Sequence, residues 1–135
     1  MPRLSRYKLS SQHIDELGGR IVDAALLVRD REGLTLFFND LLTFTEKAML
    51  GKRMLIALFL ENGYSYAEIS KWLKVGYTTI NSISDRLHND GRGFRLVIKK
   101  LEREKKVKEI INNIQMIFKD RPSQVGSGRL KFLRI

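Results

Sequence analysis

The sequence predicts an all-α chain, and three observations carry that prediction. Apolar residues recur at helical spacing through most of the 135 residues. The two prolines, Pro2 and Pro122, lie near the ends, so no proline interrupts a helix between them. β-branched runs are few, while Ser/Thr-x-x-Glu patterns at 43–46 and 65–68 mark helix starts.

Residues 1–9 read as a basic arm holding Arg3, Arg6 and Lys8. Ser10 or Ser11 suits a helix N-cap, with Asp15 and Glu16 near the positive end of the helix. Ile14, Leu17, Ile21, Ala24, Ala25 and Val28 continue a helical stripe to about Arg29. Gly18-Gly19 marks either a weak helix start or a close crossing where a partner backbone approaches. Asp30 to Gly33 reads as a turn, and Leu34 to Leu42 as a short apolar helix carrying Phe37 and Phe38. Thr43 and Glu46 open a long helix that ends at Asn62-Gly63, where glycine supplies the left-handed cap. Its run MLIALFL (54–60) is apolar on every face and must be buried all round. One small domain hardly covers such a run, which predicts an intertwined helical homodimer; the alternative is the central helix of a monomeric bundle.

Residues 65–88 read as two helices joined by a tight turn. Ser65 and Glu68 form a capping box, with Tyr64 and Ile69 placed for a hydrophobic staple. Lys74-Val75-Gly76 interrupts the run, and Gly76 serves as the next N-cap. Ile69, Leu73, Val75, Ile80 and Ile83 fall at the buried positions of a helix-turn-helix, whose second helix enters the major groove. An ordinary helical hairpin shares the pattern. Lys74 stands where many such turns have Gly, and residues 64–90 carry no net charge. Asn89 to Gly93 is a glycine-rich joint. Residues 94–118 form a third long helical run with a charged middle, EREKKVKE, and Pro122 stops it. RLKFLRI, the last segment, suits an edge strand or a tail. The organisation is then a basic arm (1–9), a dimerisation and helix-turn-helix domain (10–93), a long C-terminal helix (94–121) and a basic tail (122–135).

With 43% apolar residues the chain can bury a real core, yet no stretch reaches the ~18 apolar residues of a membrane helix. The opening residues show no apolar core of a secretory signal, which points to a cytoplasmic protein. Cysteine is absent, and His13 and His88 are isolated, so neither a metal centre nor a cofactor is expected. The net charge of +10 lies outside the hairpin. Residues 1–8 carry +3, residues 95–108 carry +5 and residues 119–135 carry +4, which suits phosphate-contacting segments or solvated faces.

Residues 41–87 resemble the tryptophan-repressor superfamily through LLT-x-x-E, GKR (51–53) and GYSYAEI. GRGFRLVIKKL looks closer to the YerC/YecD branch. The resemblance implies an all-helical, intertwined homodimer that offers two helix-turn-helix heads to successive major grooves. Family members usually carry Ser at the position of Gly76 and Arg at that of Ser82. The family's ligand lies between two arginines; Arg53 matches one, and Ser82 stands in place of the other. Ile83 stands where that site needs Gly, and Arg86 where it has a small hydroxyl.

The expected function is a sequence-specific DNA-binding regulator, a repressor acting as a homodimer on double-stranded DNA without tryptophan as corepressor. Ser65, Tyr66, Lys71 and the amides of Gly76 and Tyr77 are the phosphate contacts, while Thr78, Thr79, Asn81 and Ser82 read bases and Arg86 adds a cation. The alternative is a helical interaction module whose motif no longer reads bases, which the neutral hairpin favours. An enzyme is not expected, since no nucleophile–base set, metal cluster or phosphate loop is present.

Overall fold

The computed structural model describes residues 8–119. Among them the chain forms seven helices and no strand: α1 (Ser11–Val28), α2 (Arg31–Leu41), α3 (Phe44–Glu61), α4 (Tyr66–Leu73), α5 (Tyr77–Asn89), α6 (Arg92–Arg103) and α7 (Val107–Lys119). The all-α class is therefore as the sequence predicts. The basic arm reaches the described residues only at its last two positions, and the tail with Pro122 and RLKFLRI lies outside them. None of the described helices is long and apolar enough to cross a membrane.

The chain divides into two compact units, one through Gly51 and one from Lys52. In the first, the Ser10 hydroxyl accepts from the His13 amide, and Asp30 caps α2 by accepting from the Gly33 amide at 2.8 Å. The turn expected over 30–33 is thus one residue of cap followed by helix. Gly18-Gly19 lies inside an unbroken α1, and no described atom approaches either position. Thr43 and Glu46 exchange both bonds of the second capping box, at 2.8 and 3.1 Å. α1 packs on α2, yet neither helix buries a single residue. Leu17, Leu27 and Leu36 stand exposed, as does Phe44 at the start of α3.

The second unit holds the core. Ile56, Ala57, Leu58 and Phe59 of α3 are consecutive, and none exceeds 1% exposure. α4 contributes Ile69 and Leu73, α5 contributes Ile80, Ile83 and Leu87, and α6 contributes Ile98. Val107 and Ile111 of α7 complete it. Phe59 is the hub of an aromatic cluster, with ring centroids 5.3 Å from Tyr64 and 5.5 Å from Trp72. Of the run 54–60, Met54, Leu55 and Leu60 are half-buried and Ile56 to Phe59 fully buried. The helices that follow α3 enclose four of its consecutive residues within one chain. Apolar surface is left uncovered on α1, α2 and the first turns of α3, and also at Leu96 and Val97 of α6 and Met116 and Ile117 of α7.

The long C-terminal helix is also corrected, to two helices. Lys105 adopts a left-handed conformation (φ 58°) at the break. The Lys106 amide donates to the Leu101 carbonyl and the Lys105 amide to the Glu102 carbonyl, which closes α6 in a Schellman cap. The charged EREKK segment offers no apolar side chain to prolong the helix against a core. Turning there lets α7 pack back on α6 and α4, so Val107 and Ile111 are buried rather than carried into solvent.

Gly91 makes the α5–α6 joint possible. It is buried, has φ +66°, and a Cβ there would lie 2.8 Å from the Leu87 Cα. Arg95 fastens the same joint by donating to the carbonyls of Leu87 (2.8 Å) and Asp90 (2.9 Å) and to Glu61 (3.3 Å). Left-handed strain and a backbone clash act together in Gly91→Ala, which is expected to cost about 2–4 kcal/mol in urea unfolding.

Candidate nucleic-acid interface

The helix-turn-helix is built from its caps inward. The Ser65 hydroxyl accepts from the Glu68 amide at 3.1 Å, and the Glu68 carboxylate accepts from the Ser65 amide at 3.0 Å. This fixes the first turn of α4 directly after the Gly63 cap of α3, where the Tyr64 amide donates back to the Phe59 carbonyl. The turn between α4 and α5 is held without glycine at its left-handed position. Lys74 takes that conformation (φ 56°), and two bonds restrain its own carbonyl and that of Val75. The Ser70 hydroxyl donates to the Val75 carbonyl at 2.7 Å, and Lys52 of α3 donates to the Lys74 carbonyl at 3.3 Å. Neither bond is visible as periodicity or motif, and the sequence reading missed both.

Gly76 is the N-cap of α5, in extended conformation and with no side-chain cap. The first-turn amides of α5 therefore lack the side-chain acceptor that Ser65 supplies to α4. A helix N-terminus of this kind favours an anion. The buried stripe Ile80, Ile83 and Leu87 seats α5, and its other faces point away from the core. Tyr77, Thr78, Thr79, Asn81, Ser82 and Arg86 are all exposed. At helical spacing Tyr77 and Asn81 share one row, and Thr79, Ser82 and Arg86 share another. On α4, Ser65 and Lys71 are exposed and Tyr66 is half-buried. The Tyr66 ring meets the Tyr77 ring edge-on at 5.7 Å, and its hydroxyl donates to Asn81 Oδ1 at 3.2 Å. The structure thus brings Tyr66, Tyr77 and Asn81 into one cluster, a contact between residues fifteen apart that the sequence reading did not foresee. Ile83, at the position of the family's ligand-site glycine, is core, at 4% exposure. Among the described residues, no group of three or more His, Asp or Glu side chains is arranged to hold a metal ion.

The family described as Trp repressor protein matches residues 19–102, most of the chain and the whole helix-turn-helix. The chain belongs to the Trp repressor family. No curated protein and no solved structure gives a match. Trp repressor proteins are helix-turn-helix DNA-binding regulators, and this chain is one by family, with α4 and α5 as its motif. The match ends within α6, so α7, which packs on α4, lies outside it.

Removing the Ser65 hydroxyl deletes one bond of the capping box and leaves a first-turn amide of α4 without its partner. Ser65→Ala is expected to lower stability by about 1 kcal/mol, read as a reduced denaturation midpoint at unchanged m-value.

Proposed function

We propose that this Trp repressor family member is a sequence-specific repressor that binds palindromic DNA as a homodimer and needs no tryptophan. The observation that carries the reading is the outer face of α5. Tyr77, Thr78, Asn81 and Ser82 stand exposed above a fully buried stripe, and short polar side chains suit base edges. Thr78, Thr79, Asn81 and Ser82 read bases. Ser65, Lys71 and the amides at Gly76 and Tyr77 hold phosphates, with Arg86 as a flanking cation. Support for the second copy comes from the first unit. Its helices bury nothing, and Ile14, Leu17, Ile21, Val22, Leu26 and Leu27 are left exposed on α1 alone. A repressor of this kind works on DNA in the cytoplasm.

Selection of bound sequences from random duplex DNA by the purified protein tests the reading. The expected result is an enriched palindrome whose half-sites are spaced by about one helical turn, roughly 34–36 Å. Asn81→Ala should then cost about 1–3 kcal/mol on the selected site and little on random DNA. Recovery of no enriched sequence would favour the interaction module, whose support is the neutral charge of residues 64–90.

Independence from tryptophan rests on three positions. Ser82 offers no guanidinium to stack on an indole, Ile83 fills the space of a glycine, and only Arg53 remains of the arginine pair. Calorimetry with millimolar tryptophan is expected to give no saturable heat. DNA affinity should be the same with and without tryptophan.

A further inference from the structure

We infer that Tyr66 is a positioning residue that fixes the amide of Asn81 to read adenine, and not a phosphate contact as its place at the start of α4 suggests. The inference rests on the DNA-binding reading above and names how one of its base contacts is set. An exposed asparagine amide turns over a broad, two-fold torsional profile, so alone it offers either edge to a base. Here the Tyr66 hydroxyl donates to Asn81 Oδ1 at 3.2 Å. The hydroxyl is itself well placed. The Tyr66 ring is half-buried against the core and meets the Tyr77 ring at 72° and 5.7 Å, so the oxygen sits on a rigid, two-torsion side chain.

The consequence follows from counting donors and acceptors. An amide oxygen has two lone pairs and an amide nitrogen two protons. With one lone pair of Oδ1 engaged by Tyr66, the oxygen is held in place and keeps its second lone pair. Nδ2 then donates beside an oxygen that accepts. Adenine presents N7 as acceptor and the N6 amino group as donor, which this pair complements. Guanine presents N7 and O6, both acceptors, and a fixed oxygen is set against O6. Tyr66 therefore turns a permissive amide into one that prefers adenine over guanine. Closing the protein–DNA interface removes water from the Tyr66–Asn81 bond and strengthens it when the base is read.

The test uses Tyr66→Phe, which keeps the ring and its contact with Tyr77 and removes only the hydroxyl. The base pair read by Asn81 is located as the position whose preference Asn81→Ala abolishes. Affinities are measured for the selected site and for the same site with guanine in place of that adenine. The adenine-to-guanine ratio is expected to fall about three- to tenfold in Tyr66→Phe, the range of one net hydrogen bond. In the Asn81→Ala background Tyr66→Phe should leave the ratio unmoved, as a pair acting through one contact requires. Without DNA, the side-chain amide NMR signals of Asn81 should shift in Tyr66→Phe. An unchanged ratio in the single variant overturns the inference, and so does an equal loss on both sites, which is the mark of a phosphate contact. Unmoved Asn81 amide signals overturn it without reference to DNA. Shifted signals in a protein with no sequence preference would instead bring down the DNA-reading function, and the adenine assignment with it.

Discussion

A helix buried on all sides needs neighbours on all sides, and Ile56–Phe59 imposes that condition on everything after it. Four consecutive side chains at 0–1% exposure point around the full circumference of α3. α4 and α5 supply Ile69, Leu73, Ile80, Ile83 and Leu87; α6 and α7 supply Ile98, Val107 and Ile111. Each of these helices is amphipathic and unable to bury its apolar stripe alone. The Phe59 ring is met by both Tyr64 at the start of the motif and Trp72 within it. The aromatic cluster ties the end of α3 to α4, and the Ser65–Glu68 box continues directly from it.

The same constraint decides what the motif exposes. α5 has thirteen residues and commits Ile80, Ile83 and Leu87 to the core. Once those three are seated, Tyr77, Thr78, Asn81 and Ser82 have no choice but to face outward. The polar face of α5 is therefore a product of packing, and its rigidity is inherited from the core. The turn before it is held in the same way. A left-handed Lys74 carries a cost that glycine would avoid, and the bonds from Ser70 and Lys52 restrain the carbonyls of Val75 and of Lys74 itself.

Periodicity and capping make most of this legible in the sequence alone. The two capping boxes, the Gly63 cap and the buried stripe of α5 are local, and local chemistry is what a sequence displays. The charged break at Glu104 to Lys106 was visible only as an interruption in polarity. Its meaning, a Schellman cap on a lysine, depends on α7 finding α4, and that contact has no signature within a helical period. Within the apolar run of α3, Ile56 to Phe59 are buried as the sequence predicts, while Met54, Leu55 and Leu60 are half-buried. What covers the run was not legible, because the covering residues are drawn from helices as far along the chain as α7, at Val107 and Ile111. Tyr66 and Asn81 illustrate the same limit at the site: each looked outward on its own helix, and only the crossing of α4 on α5 brings them together.

Charge is distributed unevenly between the motif and the corner that follows it. Residues 64–90 are neutral, while Lys99, Lys100, Arg103, Lys105, Lys106 and Lys108 stand exposed around the α6–α7 corner. In the proposed regulator the phosphate backbone supplies sequence-independent affinity, and the base edges supply choice. A neutral reading helix gains little from DNA of the wrong sequence, since its contacts are short hydrogen bonds that fail when the base changes. Cations gain equally from any sequence. Placing them on α6 and α7, with α7 packed on α4, keeps the electrostatic term fixed relative to the motif without letting it dominate α5. The absence of an arginine at Ser82 fits this division. A long cation on the reading face would add affinity for every site, and the adenine preference proposed for Tyr66 and Asn81 would count for less of the total.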